Sequence, residues 1–176
     1  MKLIEQLSEG QYQIYQDLDG CLSDFNERFE HFSGMSPDDY MEMATKQFGE
    51  KIAKQRFWNL IDEQVGMRYW RGMKWMPEGK QLWDYIKQFN PIILTAPSYN
   101  EVSVIGKKLW VQDNLGSHVP IEFRQAKEKV DFAGPNKILI DDREDTISSW
   151  KAQNGIGFLY QGETEPIIRE LKKLGL

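Results

Sequence analysis

A chain of 176 residues, 40% hydrophobic and 28% charged, is an ordinary globular mixture with room for one core. Its formal net charge of -5 excludes a general basic field for duplex nucleic acid, so a small anionic ligand would have to meet local cations or a metal. The single cysteine, Cys21, excludes an intramolecular disulfide. No stretch approaches the ~18 apolar residues of a membrane span.

The opening "MKLIEQLSEG" lacks the apolar run of a signal peptide, which with the cysteine usage reads as a cytoplasmic protein. Residues 12–16 read as a short strand that ends at Asp17 in "QIYQDLDG". From Phe25 to Trp75 the texture is helical and aromatic, with "DFNERFEHF", "SPDDYMEMATKQFG" and "QRFWNLIDEQ". Ser36, followed by Pro37, Asp38 and Asp39, has the pattern of a capped helix start. Pro77 opens a further helix in which Leu82, Tyr85, Ile86 and Phe89 keep helical spacing.

Beyond that helix the pattern becomes regular. "PIILTAP" reads as a buried strand ending at Thr95. "NEVSVIGKKLWVQDNLG" reads as a helix stopped near Gly116, with Lys107 and Lys108 facing water. "VPIEF" and "KILIDD" are strands, "DTISSWKAQNG" a helix, "IGFLY" a strand and "EPIIRELKKLG" a closing helix. Alternating strands and helices predict an α/β, Rossmann-like parallel sheet covered on both faces, with a small helical cap inserted after the first strand. The division expected is 1–24 and 76–176 for the catalytic core and 25–75 for the cap, lying above the carboxyl edge where ligands bind in such folds.

Three of these strands end in reactive groups. Asp17 and Asp19, two apart at a strand end, point the same way and raise each other's pKa if both are ionised. Thr95 ends the second strand, and Asp141 and Asp142 end the fourth. Lys127 and Lys129 lie between the third and fourth. Acids converging on one sheet edge call for a cation. Hard oxygen donors suit Mg²⁺, which takes one or two carboxylates and leaves room for substrate phosphate oxygens.

This order, Asp17-Leu18-Asp19-Gly20, then Thr95, a lysine, and Asp141-Asp142, resembles the haloacid dehalogenase superfamily of phosphotransferases. The resemblance implies Asp17 as nucleophile, Asp19 as general acid and then base, Thr95 as phosphoryl contact and Lys129 as charge balance. It implies Mg²⁺ on Asp17, Asp19 through its carbonyl, and Asp141, with Asp142 in support. Members that attack carbon–halogen bonds lack the second acid, so Asp19 implies phosphoryl transfer.

More narrowly, "DLDGCLSDFNERF", "RFWNLI", "PEGKQLWDYI", "ILTAP", "GKKLWVQDNLG" and "ILIDDRED" resemble the 5'(3')-deoxyribonucleotidases and their phage and bacterial relatives. That likeness implies a deoxynucleoside monophosphate substrate, with Phe25, Phe57, Trp58, Trp70 and Trp75 as base-holding candidates. Relatives there are often homodimers. Ala96 stands where the family often has a serine, and Tyr99 replaces a usual lysine; both change the phosphate surroundings. The rival readings are a phosphatase for another small metabolite such as a sugar phosphate, a non-catalytic binding module on the same fold, and a polynucleotide-end phosphatase. The acidic balance counts against the last. For the aromatics the plain alternative is core packing. For Asp141 and Asp142 it is capping of the next helix. Cys21 reads as a buried filler, and His31 and His118 belong to no site.

Overall fold

The computed structural model describes residues 11–176; the signal-peptide reading of the first ten falls outside them. Strand β1 (Gln13–Gln16) runs into a tight turn and β2 (Ser23–Asp24). Helices α1 (Phe25–Ser33), α2 (Pro37–Phe48) and α3 (Glu50–Trp58) follow. A π-helical stretch over Asn59–Val65 leads to α4 (Met67–Arg71), and β3 (Lys74–Trp75) closes the excursion. Then come α5 (Gly79–Ile86), β4 (Ile92–Thr95), α6 (Glu101–Asn114) and β5 (Ile121–Phe123). A 3-10 stretch over Ala126–Phe132 precedes β6 (Lys137–Asp141), α7 (Glu144–Ala152), β7 (Ile156–Leu159) and α8 (Glu165–Lys173).

The main sheet has five parallel strands in the order β5-β4-β1-β6-β7. The chain leaves β1 toward β4 and β5 on one side and later fills β6 and β7 on the other. The strand order therefore reverses around β1, and the crevice at that reversal is where such sheets hold ligands. Register places Tyr15 beside Ile92 and Leu139. Ile14, Ile93, Ile138 and Ile140 point to one face, under Leu82, Ile86, Val111 and Leu171. Tyr15, Leu94 and Leu139 point to the other, under Ile147 and Trp150 of α7. Burial on both faces explains why these strands read as continuous apolar runs. Each fully buried side chain of this size contributes about 1.5–3 kcal/mol.

The α1–α4 excursion is anchored where it begins and ends. β2 and β3 pair antiparallel, Ser23 with Trp75 and Asp24 with Lys74. Asp24 caps α1 by accepting from Glu27 N–H at 2.9 Å, and Ser36 caps α2 as the sequence predicts. At its far end α4 lies close on α6. A Cβ on Gly106 would fall 2.5 Å from Trp70 Cβ, so only glycine allows this approach. Among the described residues no helix is long and apolar enough to cross a membrane.

Candidate active site

The three central strands β4, β1 and β6 deliver Thr95, Asp17 and Asp141 to one edge, all of them buried. Asp17 follows β1 and its N–H still bonds Ile140 carbonyl at 2.9 Å, so its backbone is fixed by the sheet. Lys129 reaches in from the 3-10 stretch. Its ammonium donates to Asp17 Oδ1 at 2.8 Å and to Asp141 Oδ2 at 2.6 Å. The other Asp141 oxygen accepts from Arg143 N–H at 2.9 Å. With both oxygens engaged and no exposure, Asp141 is a holder of Lys129 and of the turn into α7.

Asp142 occupies the other position. Its carboxylate rests against Gly20, whose φ of +80° and missing Cβ make the space; a Cβ there would lie 2.2 Å from Asp142 Oδ2. Ligand atoms of Asp17, Asp142 and Cys21 lie within 4.8 Å of one another. The expectation puts Asp141 on the ion and Asp142 in support; in the structure it is Asp142 that shares the cavity with Asp17, while Asp141 is buried behind Lys129. Desolvation, then the charges of Asp17 and Asp141, push the Asp142 carboxyl up to about 7. Burial, with the charge of Asp141, also raises Asp17, against the pull of Lys129. Lys129 itself is held charged well above the ordinary lysine value; burial works against this and the two carboxylates outweigh it.

Asp19 sits at the turn after Asp17 and is held at both oxygens. Ser23 hydroxyl donates to Oδ1 at 3.1 Å, and Lys107 ammonium donates to Oδ2 at 2.6 Å. The same ammonium contacts Thr95 Oγ1 at 3.0 Å and the Ala96 carbonyl. This corrects the expectation that Lys107 faces water. Lys107 is fully buried, whereas Lys108 is exposed. The missed signal was periodic: Ser103, Lys107, Trp110 and Val111 form the buried stripe of α6, with Lys107 in its middle. A lysine there must be paired. Ser23 carried no such signal, because its role comes from the turn that returns it to Asp19.

Asp17, Asp19, Lys129 and Asp142 line a cavity of about 650 Å³, with Thr95, Lys107 and Asp141 buried behind them. Phe25 and Trp58 form part of its wall, with Ala96, Ser98 and Tyr160; Trp70, also expected there, borders the cavity from the core and is only 2% exposed. Phe57 and Trp75, expected with them, pack elsewhere. Phe57 is stacked on Phe29 with ring centroids 4.5 Å apart, in the core of the excursion. Trp75 lies against Trp110 at 5.1 Å. In a chain segment so short of aliphatic bulk, aromatic rings supply the core as well as the wall. Tyr99 projects into solvent, 99% exposed. Cys21 is buried and its thiol is pushed well up by burial and the adjacent acids, so it is inert as a nucleophile.

No family model matches the chain, and no curated protein matches it. Solved structures do. A HAD-superfamily hydrolase from Ehrlichia chaffeensis superposes with a TM-score of 0.54 at 12% identity, over 93% of this chain and 97% of that one. The fold is haloacid dehalogenase-like. A hydrolase from Streptococcus pneumoniae TIGR4 gives a TM-score of 0.51 at 14% identity, covering 93% and 99%. A phosphonoacetaldehyde hydrolase-like protein from Oleispira antarctica gives 0.53 at 11% identity, covering 94% and 82%. Identities this low speak for the fold alone.

Proposed function

We propose that the protein is a Mg²⁺-dependent phosphomonoester hydrolase that works through an aspartyl-phosphate on Asp17, with α1–α4 as a cap over the site. The observation that carries this reading is the pairing of two buried lysines with two acids of one Asp-x-Asp turn, Lys129 with Asp17 and Lys107 with Asp19. A solvated turn has no use for two buried ammonium groups. A site that receives a phosphoryl group and handles a proton needs both.

Asp17 and Asp142, with the Asp19 carbonyl that the family resemblance adds, would hold Mg²⁺. The oxygen donors fit a hard cation, and the raised Asp142 carboxyl marks anionic charge that a cation relieves. The ion, when bound, neutralises phosphate charge. The chain's own groups do the rest. An Asp17 carboxylate oxygen bonds to phosphorus as the bond to the leaving oxygen breaks, and Asp19 gives that oxygen a proton. Asp19 then takes a proton from water, which attacks phosphorus and frees Asp17 and inorganic phosphate. Thr95 hydroxyl and the Lys129 ammonium stand beside the phosphoryl position, and Lys107 keeps Asp19 in place.

The aromatic wall of Phe25 and Trp58, backed by Trp70, favours a nucleoside monophosphate, because bases stack on rings. Asn26, Gln125 and Gln161 also line the cavity and favour a polyhydroxylated substrate such as a sugar phosphate as the second reading. A phosphate-release screen over deoxynucleoside monophosphates, ribonucleotides and sugar phosphates, with Mg²⁺ and with chelator, tests both. Release confined to Mg²⁺ and strongest on deoxynucleotides supports the first reading. A sugar phosphate as the best substrate moves the assignment to the second, and no release from any of them rejects the hydrolase.

A further inference from the structure

The π-helical stretch carries a buried acid that the chemistry above does not use. Asp62 is 8% exposed, and its Oδ1 accepts from Trp70 Nε1–H at 3.0 Å. The buried positions around it, Ala53, Phe57, Ile61 and Val65, recur every four residues. In a regular α-helix such a repeat drifts by about 40° per step. The wider π-turn lessens that drift and keeps Ile61 and Val65 inward with Asp62 beside them. The next residue, Glu63, accepts from Asn100 Nδ2 at 2.8 Å, and Asn100 caps α6 by accepting from Val102 N–H. Two consecutive acids thus tie this stretch to the wall and to the start of the helix that carries Lys107.

Trp70 is the link. Its ring borders the cavity from behind, 2% exposed and packed on the wall ring of Phe25 at 5.8 Å; it sits 4.9 Å from the Lys107 ammonium and is backed by Gly106 without room to shift toward α6. A ring so placed has one polar atom, the indole N–H, and that atom is held by Asp62. We infer that Asp62 is a positioning residue for substrate selection: by holding the Trp70 indole it fixes the aromatic wall and the cover over Lys107, without touching substrate. The wall's part in binding rests on the hydrolase reading above; the tether of Trp70 to Asp62 does not.

Two measurements test this separately. The six tryptophans give indole N–H signals by NMR, and Trp70→Phe identifies the signal of Trp70 by its loss. Asp62→Asn, whose amide oxygen still accepts, should leave that signal and its hydrogen exchange close to wild type. Asp62→Leu should speed the exchange by about tenfold or more, the worth of one buried hydrogen bond. If Asp62→Leu does not fold, Asp62→Ser, too short to reach the indole, takes its place. In kinetics, Asp62→Leu should raise KM for a nucleoside monophosphate by about tenfold while leaving kcat, and KM for a simple alkyl phosphate, within about threefold. Placed on Trp70→Phe, the same substitution should add less than about threefold, since its main effect runs through the indole N–H and only its bond from the Ser98 side chain remains to be lost. Unchanged exchange in Asp62→Leu, or its full kinetic effect persisting on Trp70→Phe, overturns the inference. A wild type that releases no phosphate defeats the hydrolase reading, and the exchange measurement still decides the tether.

Discussion

The Lys107 ammonium, on the buried face of α6, lies 2.6 Å from Asp19 Oδ2. Lys107 has no exposure, while the Asp19 side chain keeps 25%. The pair is thus dry on one side and open to the cavity on the other, which suits an acid that must be held in place and still exchange a proton with a ligand.

Lys107→Met should lower kcat by about a hundredfold, in the range that general acid–base catalysis supplies. Its effect on stability should be smaller than that of Lys129→Met. The latter strands Asp17 and Asp141, both buried, and breaking such a pair costs about 3–5 kcal/mol. Denaturant unfolding in chelator, set beside steady-state kinetics, separates the two. Lys108→Met, at an exposed neighbour, should match wild type in both. A Lys107→Met enzyme with unchanged kcat would remove Lys107 from the mechanism.

Gly20→Ala should weaken Mg²⁺. The new Cβ would collide with Asp142 Oδ2 and hold a left-handed backbone that costs an L-residue about 1–2 kcal/mol. Moving that carboxylate should raise the Mg²⁺ concentration for half-maximal phosphate release by about tenfold or more. An unchanged Mg²⁺ requirement would mean that Asp142 is not a ligand.

The chelated protein should lose stability as pH rises from about 5 to 7. Asp142 titrates near 7 in the folded chain against an ordinary 3.8, and Asp17 is raised as well. The folded state therefore holds more protons than the unfolded one in this window, and the stability they confer fades as they leave. Lys129 does not offset this loss, because its raised pKa matters only at strongly alkaline pH. The acids with lowered values, Glu50, Asp84 and Asp145, act at and below their ordinary 3.8–4.5. Melting curves at a series of pH values read the slope, and Mg²⁺ should flatten it. A chelated protein that gains stability over the same window contradicts the charge arrangement.

The aromatics should divide into two groups. Trp58→Ala should raise KM for a nucleoside monophosphate by about ten- to a hundredfold, and for an alkyl phosphate much less, because stacking is worth ~1–3 kcal/mol per base. Phe57→Ala should instead cost about 3–5 kcal/mol of stability with no preference between substrates. The ratio of the two KM changes is the readout, and equal losses for both substrates in Trp58→Ala would make that ring part of the packing.

The strands were legible because a parallel sheet buried on both faces writes itself as short apolar runs, and "IILT" and "KILID" are such runs. Their reactive ends were legible for the same reason, since a charge after such a run sits at the edge. What was not legible depended on pairing at a distance. Lys107 and Lys108 are adjacent in sequence, and only the packing of α6 decides which one reaches Asp19. Asp141 and Asp142 are the same residue type side by side, and the turn into α7 decides which meets Lys129 and which meets Gly20. Phe57 and Trp58 likewise differ by one residue and by about 100° around α3, so one is core and the other wall. The two-residue strands β2 and β3 are too short for any period to show, and the π-turn leaves no compositional mark at all.

Asp17 as the phosphoryl acceptor is tested most directly by trapping. The enzyme is quenched during turnover of its best substrate with Mg²⁺, treated with borohydride, digested and read by mass spectrometry. An acyl-phosphate is reduced where a free carboxylate is not, so the peptide containing Asp17 should carry homoserine at that position, and only when substrate was present. Turnover that leaves Asp17 unreduced, or that marks a different residue, would contradict the mechanism.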